Sequence, residues 1–228
     1  MGRRRILGAV LERLRPGRRD LLALDIGCGT GVNLKFLSQY GRVIGLDSEE
    51  LAVKLCQEGG QGRALRGDVR EIPFRDRSFD VVVAMDVMEH VDDDAGMLQE
   101  VRRVLKPGGL LYLTVPAFMF LWSLQDDVSL HRRRYTLRLV KNVVEKGGFR
   151  IRRISYMNFF LFPLIFALRL GMRVFGVRLD SENRLNPRLT NGLFTWIFAL
   201  EARILPWRNL PVGVSVLCVA ETLPPSPV

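Results

Sequence analysis

The sequence has few cysteines and almost no histidine. Its three cysteines are odd in number and widely spaced, and no C-x-x-C pair occurs. That pattern argues against a disulfide framework and indicates a reducing compartment. His90 and His131 are the two imidazoles of the chain. Because this leaves no run with the usual ligand spacing of a zinc site, the sequence predicts no metal.

Long hydrophobic runs are lacking too. The longest one, residues 159–168, has ten residues, whereas a helix that spans a bilayer needs about 20. The first 20 residues contain no apolar signal-peptide core, and Gly2 is not followed by a myristoylation pattern. We therefore expect a cytoplasmic protein. Peripheral contact with the inner membrane surface remains an alternative.

Charge is abundant but uneven. The chain has 34 basic and 24 acidic side chains, a net charge of +10. Residues 1–19 and 132–153 are strongly basic, and residues 44–100 are acidic. Basic flanks of this kind suggest an anionic partner, either phospholipid or nucleic acid. A solvated arginine-rich surface is the alternative.

Apolar runs typical of buried strands alternate with amphipathic helical stretches over the first two thirds of the chain. The predicted strands are 21–26, 42–47, 64–68, 79–86, 110–115, 149–155 and 213–222, and the predicted helices are 32–40, 49–58, 92–105 and 136–146. Strands and helices that alternate at this pace predict an α/β fold with a parallel sheet covered on both faces.

The same pattern divides the chain into segments. We expect an N-terminal amphipathic basic helix within 1–19, a core at 20–157, and an apolar helical insertion at 158–212 with a polar linker at 177–191. The last core strand at 213–222 and a loose tail at 223–228 follow. The insertion leaves three alternatives open: contact with lipid, a partner or homodimer face, or a lid over the site. The same alternatives remain open for the N-terminal helix.

The strongest chemical signal is the run from Asp25 to Gly31, followed by Asp47. Its glycines let the backbone turn sharply after a buried strand and approach a ligand closely. The following helix presents free N–H groups to an anionic group. An acid at the end of the second strand is placed to accept the hydroxyl protons of a ribose. The run therefore predicts a nucleotide site.

Two details separate the classes of nucleotide. A dinucleotide fold requires G-x-G-x-x-G, but here the third glycine comes one residue early, and Asp25 would repel a pyrophosphate. Together with Asp47, 67–69 and 85–91, this run resembles the class I S-adenosylmethionine-dependent methyltransferases of the small-molecule, methyltransferase-11-like kind. The resemblance covers residues 20–150. It implies a Rossmann-like, seven-stranded, mostly parallel sheet whose last strand is antiparallel, with a helical insertion before that strand.

The resemblance also implies S-adenosylmethionine as the cofactor. Its expected binding residues lie at the ends of the first four strands: Asp25, Gly27, Cys28, Gly29, Gly31, Asp47, Ser48, Asp68, Val69, Met85 and Asp86. The glycine turn would line the methionine part, Asp47 would hold the ribose, and Asp68 with Val69 would face the adenine. Met85 and Asp86 would lie near the sulfonium.

Candidate catalytic residues follow the fourth and fifth strands. His90 follows the fourth strand and His131 the fifth, and the carboxyl ends of parallel strands lie on the ligand side of the sheet. We expect His131 to act as a base or a substrate anchor, with Tyr135 nearby. The alternative is that His131 pairs with Asp126 or Asp127 and only orders the loop.

The sequence favours a small or lipid-like acceptor that is methylated on a hydroxyl, amine or carboxylate. The strand-four end lacks the Asn/Asp-Pro-Pro-aromatic run of enzymes that methylate base nitrogens, and no aromatic platform accompanies the basic residues. Nucleic acid is therefore not expected as a partner. An NAD(P)-dependent oxidoreductase and a non-catalytic membrane-surface or partner-binding module remain the alternatives, and the chain is expected to be a monomer or a homodimer.

Overall fold

Seven strands form one sheet in the order β3-β2-β1-β4-β5-β7-β6. The computed structural model describes residues 2–60, 62–175 and 188–223. The strands are β1 (Leu21–Ile26), β2 (Gly41–Asp47), β3 (Arg63–Arg66), β4 (Phe79–Met85), β5 (Leu105–Pro116), β6 (Phe149–Met157) and β7 (Ser215–Thr222). Strand β7 runs antiparallel to both β5 and β6, and the other pairs are parallel. The predicted fold class is confirmed.

Eight helices accompany the sheet in the described part of the chain. They are α1 (Gly2–Leu14), α2 (Val32–Leu37), α3 (Glu50–Glu58), α4 (Asp94–Val104), α5 (Leu124–Val128), α6 (Leu137–Lys146), α7 (Phe162–Phe175) and α8 (Arg188–Ile204). Residues 177–187 of the predicted linker and 224–228 of the predicted tail lie outside the described residues.

The centre of the sheet determines where a ligand can bind. Strands β1 and β4 are neighbours and are buried almost throughout, because their side chains face the apolar core on both sides of the sheet. From β1 the chain passes to β2 on one side, and β4 lies on the other. A crevice forms outside the carboxyl ends of the strands at such a switch point.

The apolar stripe of α1 is buried within the protein. Ile6, Leu7, Val10 and Leu11 pack against residues of β4, β5 and β7, and they are almost inaccessible to solvent. Helix α8 packs beside α1. Because this stripe is covered by the sheet, its apolar side chains are not available to a lipid surface.

Two predicted boundaries differ from the structure by more than two residues. Helix α2 ends at Leu37 and continues as a 3-10 turn, Ser38–Tyr40. Strand β5 begins at Leu105, before the Pro-Gly-Gly turn instead of after it. Phe79 pairs with Leu105, and the next paired positions are Val81 and Leu110. The extra residues form an irregularity within one strand, which local turn signals cannot distinguish from a strand start.

The insertion contributes α7 and α8. The buried Glu201 carboxylate of α8 accepts hydrogen bonds from the backbone N–H groups of Asn158 (2.7 Å) and Phe160 (3.3 Å), and so connects α8 to the segment that leads into α7. Helix α7 carries exposed apolar side chains, including Leu164, Phe166 and Leu168. Among the described helices, none has both the length and the hydropathy that crossing a bilayer requires.

Candidate functional site

A cleft of about 590 Å³ opens at the carboxyl ends of β1, β2 and β4. It lies at the switch point of the sheet, where open α/β folds bind ligands. Six of the predicted cofactor residues line it: Gly27, Asp47, Ser48, Asp68, Val69 and Asp86. Val87 and His90 complete the wall toward β4. The topology therefore brings residues that follow β1, β2, β3 and β4 into one site.

The glycine turn after β1 forms the floor of the cleft. Gly27, Gly29 and Gly31 have φ values of 66°, 53° and 81°, which side chains disfavour. Backbone hydrogen bonds hold the turn against β2, including one from Gly27 N–H to the Leu46 carbonyl (2.8 Å). A Cβ atom on Gly27 would lie 2.5 Å from Cγ2 of Val87. The turn therefore requires glycine at this position for conformation and for space.

Asp47 is fixed by the backbone on either side of it. One carboxylate oxygen accepts a hydrogen bond from Gly29 N–H (2.7 Å), and the other accepts one from Glu49 N–H (3.0 Å). A carboxylate oxygen can accept more than one hydrogen bond. Asp47 therefore faces the cleft in a fixed orientation and keeps acceptor capacity for a pair of hydroxyl groups.

Asp25 lies at the end of β1, just before the glycine turn. It is only 1% exposed, and neither carboxylate oxygen is within hydrogen-bonding geometry of a donor. Burial raises its pKa to about 7, with a smaller opposing effect of the nearby Asn33 amide. A buried carboxyl group without a partner is unfavourable when ionised. A cationic group bound at the turn would remove that penalty, which fits the ammonium of S-adenosylmethionine.

Cys28 and Met85 do not line the cleft, and Asp68 lines it only at the rim. The Cys28 side chain packs in a small core cluster, where burial raises its pKa to about 12, so that only its backbone is near the cleft. Met85 packs against the core beneath the site. Asp68 is paired with Arg70 (2.5 Å) at the rim, and hydrogen bonds from Arg70 lower the pKa of Asp68.

A second cavity of about 470 Å³ adjoins the cleft. Asp86, His90 and Ser129 line both spaces, so the two meet at the end of β4. Arg3 of α1 reaches this junction and forms an ion pair with Asp86. The sequence does not indicate a role for Arg3, because nothing local shows that the N-terminal helix folds back to the end of β4.

His131 is held in a fixed orientation in the second cavity. Its Nδ1 lies 2.8 Å from Oδ1 of Asp126. The Arg134 guanidinium donates to both oxygens of Asp126 at 2.8 Å. Burial opposes the ionisation of Asp126, but these hydrogen bonds outweigh it and lower the pKa of the carboxyl. Asp126, and not Asp127, is therefore the partner of His131, and Nε2 of His131 remains directed toward Glu89 at 3.9 Å.

Glu89 is a second residue of this cavity that was not predicted from the sequence. Its side chain is fully buried, and neither oxygen has a hydrogen-bond partner. Burial raises its pKa to about 7, partly offset by its own backbone amide and by the positive charges of Arg3 and Arg134. The feature of the sequence that could have indicated Glu89 is an acid next to a histidine just after the carboxyl end of a strand.

The structure does not bring Tyr135 to either cavity. It is 2% exposed and packs in the main core. Its hydroxyl lies 3.4 Å from both the Met88 carbonyl and the Asp94 carboxylate. His90 does reach the site, and its ring meets that of His131 edge to face with centroids 4.8 Å apart. Partial burial and the neighbouring His131 lower the pKa of His90.

A third, apolar cavity of about 320 Å³ lies beside the second. Phe120, Phe166 and Leu170 line it, together with Arg169, which also lines the second cavity. Phe120 lies in the loop after β5, and the other three lie on α7. The spaces thus follow each other from the glycine turn, past His131, to an apolar wall of the insertion.

Comparisons with known proteins agree with this geometry. Residues 24–113 match a family model described as a methyltransferase domain. A probable S-adenosylmethionine-dependent methyltransferase of Mycolicibacterium smegmatis is 34% identical over 149 residues, which cover 62% of this chain and 57% of that protein. A ubiquinone biosynthesis O-methyltransferase of Leptothrix cholodnii is 36% identical over 110 residues, which cover 43% and 46%. The chain spans about half the length of the curated relatives it matches.

The solved structures extend the likeness of fold to almost the whole chain. A putative sarcosine dimethylglycine methyltransferase from Galdieria sulphuraria matches with a TM-score of 0.66 at 17% identity, over 97% of this chain and 85% of that one. At this identity the match concerns the fold, including the antiparallel β7.

Proposed function

We propose that this chain, which belongs to the class I S-adenosylmethionine-dependent methyltransferases, transfers a methyl group from S-adenosylmethionine to a hydroxyl, amine or carboxylate of a small or lipid-like acceptor. The observation that carries the proposal is the junction of two cavities at Asp86, His90 and Ser129. A donor in the first cavity and an acceptor in the second would meet there. Alignment of the two reactants is the main requirement of an in-line displacement.

The first cavity offers groups that fit each part of the cofactor. Asp25 supplies a buried anion for the ammonium, Asp47 accepts from the ribose hydroxyls, and the rim at Asp68 and Val69 faces the adenine. Ser48 flanks the ribose, while Met85 supports the turn from below. Bound there, S-adenosylmethionine supplies a methyl group on a sulfonium, which is already a good leaving group. The protein therefore has to orient the reactants and exclude water.

In the second cavity we assign His131 the role of base or acceptor anchor. Its Nδ1 is engaged by Asp126, so Nε2 is the atom free to take a proton from an acceptor hydroxyl. The Asp126–Arg134 pair keeps the ring from rotating away. His90, which borders both cavities, contacts the acceptor or closes the junction. Tyr135 supports the loop from within the core, and this proposal gives it no chemical role.

The third cavity supports an acceptor with an apolar part. Its phenylalanines continue the acceptor space away from the junction, and α7 exposes further apolar side chains around it. The relative named for ubiquinone biosynthesis supports the same class and favours oxygen as the attacked atom. Peripheral contact of α7 with a membrane would give such an acceptor a path into the site.

The test has two independent readouts. Calorimetric titration with S-adenosylmethionine should show one site per chain. Release of S-adenosylhomocysteine should then be measured over phenols, alcohols, amines and carboxylic acids, each with a short and a long alkyl chain. We expect turnover on a hydroxyl acceptor with an alkyl chain. Binding without any product over the whole series would favour the non-catalytic module, and absence of cofactor binding would contradict the proposal.

A further inference from the structure

Two histidines and one carboxylate converge at the inner wall of the second cavity. The ligating atoms of Glu89, His90 and His131 all lie within 4.8 Å of one another. Nε2 of His131 lies 3.9 Å from Oε1 of Glu89. Glu89 is completely buried, faces these rings, and accepts no hydrogen bond at either oxygen. Buried charges in proteins are either paired or coordinate metals.

The surroundings of His131 have the form of a metal-site support. A histidine that ligates a metal through one nitrogen usually donates its other N–H to a carboxylate, which fixes the tautomer and the ring orientation. Here Nδ1 of His131 is held by Asp126, and Asp126 is in turn fixed by Arg134. This arrangement leaves Nε2 as the coordinating atom on the side of Glu89.

The charge of the cavity wall is compatible with a cation. Arg3 is paired with Asp86, and Arg134 is paired with Asp126. Each guanidinium therefore has a carboxylate partner besides Glu89, and both also favour the ionised form of Glu89 that would bind a cation. The two histidines contribute neutral nitrogen donors when deprotonated, so the three ligands together carry one negative charge.

We propose that Glu89, His90 and His131 bind a divalent transition-metal ion of the zinc class. Two imidazoles and one carboxylate that leave a further position open form the donor set of catalytic zinc sites. Metal–ligand bonds of about 2.1 Å place tetrahedral ligands about 3.4 Å apart. Closing the 3.9 Å separation of Glu89 and His131 to that value needs only a small side-chain movement. All three residues line the second cavity, from which an acceptor would reach a further position on the ion.

The consequence for the acceptor rests on the proposed function, whereas the metal site does not. An acceptor hydroxyl at the open position would be made more acidic by the ion, whereas a coordinated amine would lose the lone pair that attacks the methyl group, which favours a hydroxyl acceptor. Nε2 of His131 cannot coordinate a metal and accept a proton at once. With the ion bound, His131 is therefore an anchor and not the base.

The test uses the untagged chain, treated with a chelator and then titrated with Co²⁺ and, separately, with Zn²⁺. Because the chain has two histidines, imidazole coordination reports this site alone. We expect one ion per chain and the visible absorption bands of a four- or five-coordinate Co²⁺ ion. His90→Gln, His131→Gln and Glu89→Gln should each weaken the affinity at least roughly 100-fold, more than is usual for a residue that only supports a ligand.

Two controls keep the result interpretable. Glu89→Gln removes a carboxylate without hydrogen-bond partners, so thermal unfolding should show that it folds. Asp127→Asn changes the exposed neighbour of Asp126 and should leave the affinity for Co²⁺ unchanged. Saturable binding that none of the three variants weakens, or no saturable binding, overturns the inference. Titration of the metal-free chain with S-adenosylmethionine is a separate measurement, so failure of the metal site and failure of the proposed function are distinguishable.

Discussion

Gly27→Ala tests whether the glycine turn is the floor of a cofactor site. At φ 66° an alanine is strained, and its Cβ would lie 2.5 Å from Cγ2 of Val87. Carbon atoms in contact prefer about 3.5–4.0 Å. Val87 or the turn must therefore move by about 1 Å, the gap between those two distances. Because both line the cleft, either movement changes its shape.

A displacement of this size can cost about 100-fold in a site that depends on alignment. We expect the affinity for S-adenosylmethionine to fall roughly 10- to 100-fold, about 1.4 to 3 kcal/mol. Isothermal titration calorimetry measures that loss directly. The free energy of unfolding, measured in urea without ligand, should also fall by about 1–2 kcal/mol because of the left-handed backbone.

Gly17→Ala is the matched control. Gly17 has nearly the same backbone conformation, φ 68°, but no atom lies within 4 Å of the Cβ position. It lies between α1 and β1, away from the cleft residues. We expect a similar loss of stability and unchanged affinity for the cofactor. Equal affinities of the two variants would refute the assignment of this turn.

Three further predictions concern other residues of the site. Burial raises the pKa of Asp25 from 3.8 to about 7, so the ligand-free protein should lose stability as the pH rises from about 4 to about 7, by up to about 4 kcal/mol from this group. Urea unfolding at pH 5 and pH 8 should show a smaller loss for Asp25→Asn than for the unchanged protein. An equal loss in both would contradict the raised pKa. His131→Gln should lower turnover by about 10²–10⁴-fold without affecting cofactor affinity. Tyr135→Phe alters a buried hydroxyl outside both cavities and should leave turnover within about twofold. A larger loss of turnover in Tyr135→Phe than in His131→Gln would reverse the two roles. Phe166→Ala should raise KM for long-chain acceptors by about tenfold and have little effect on KM for short-chain ones. Leu168 is similarly exposed but lies outside the cavity, so Leu168→Ala should leave both KM values unchanged. An equal rise of KM for long-chain and short-chain acceptors in Phe166→Ala would argue against an apolar acceptor wall.

What the sequence could predict was set by local rules. The run from Leu21 to Gly31 specifies a buried strand and a left-handed turn within eleven residues, so the cleft floor was predictable from the chain itself. The acid at Asp47 ends the adjacent strand, where parallel pairing brings it beside the turn. Each of these features depends on neighbours in sequence or on the next strand of the sheet.

What it could not predict depends on long-range packing. Arg3 meets Asp86 because α1 lies across the sheet beside α8, and nothing in residues 1–19 encodes that partner. Tyr135 follows the basic loop in sequence, yet its ring fits into the core below it. An amphipathic stripe on a helix likewise indicates burial but not the surface that covers it. The surface against which α1 packs could therefore be identified only from the structure.

The convergence of Glu89, His90 and His131 shows how the two kinds of information combine. A metal search based on spacing fails here, because 41 positions separate the two histidines in the chain. The sheet removes that separation: His90 follows β4, His131 follows β5, and these strands are parallel neighbours. Residues that follow adjacent parallel strands are carried to the same edge whatever lies between them in sequence. For an α/β chain, the order of strands is therefore the better guide to which polar residues form one site.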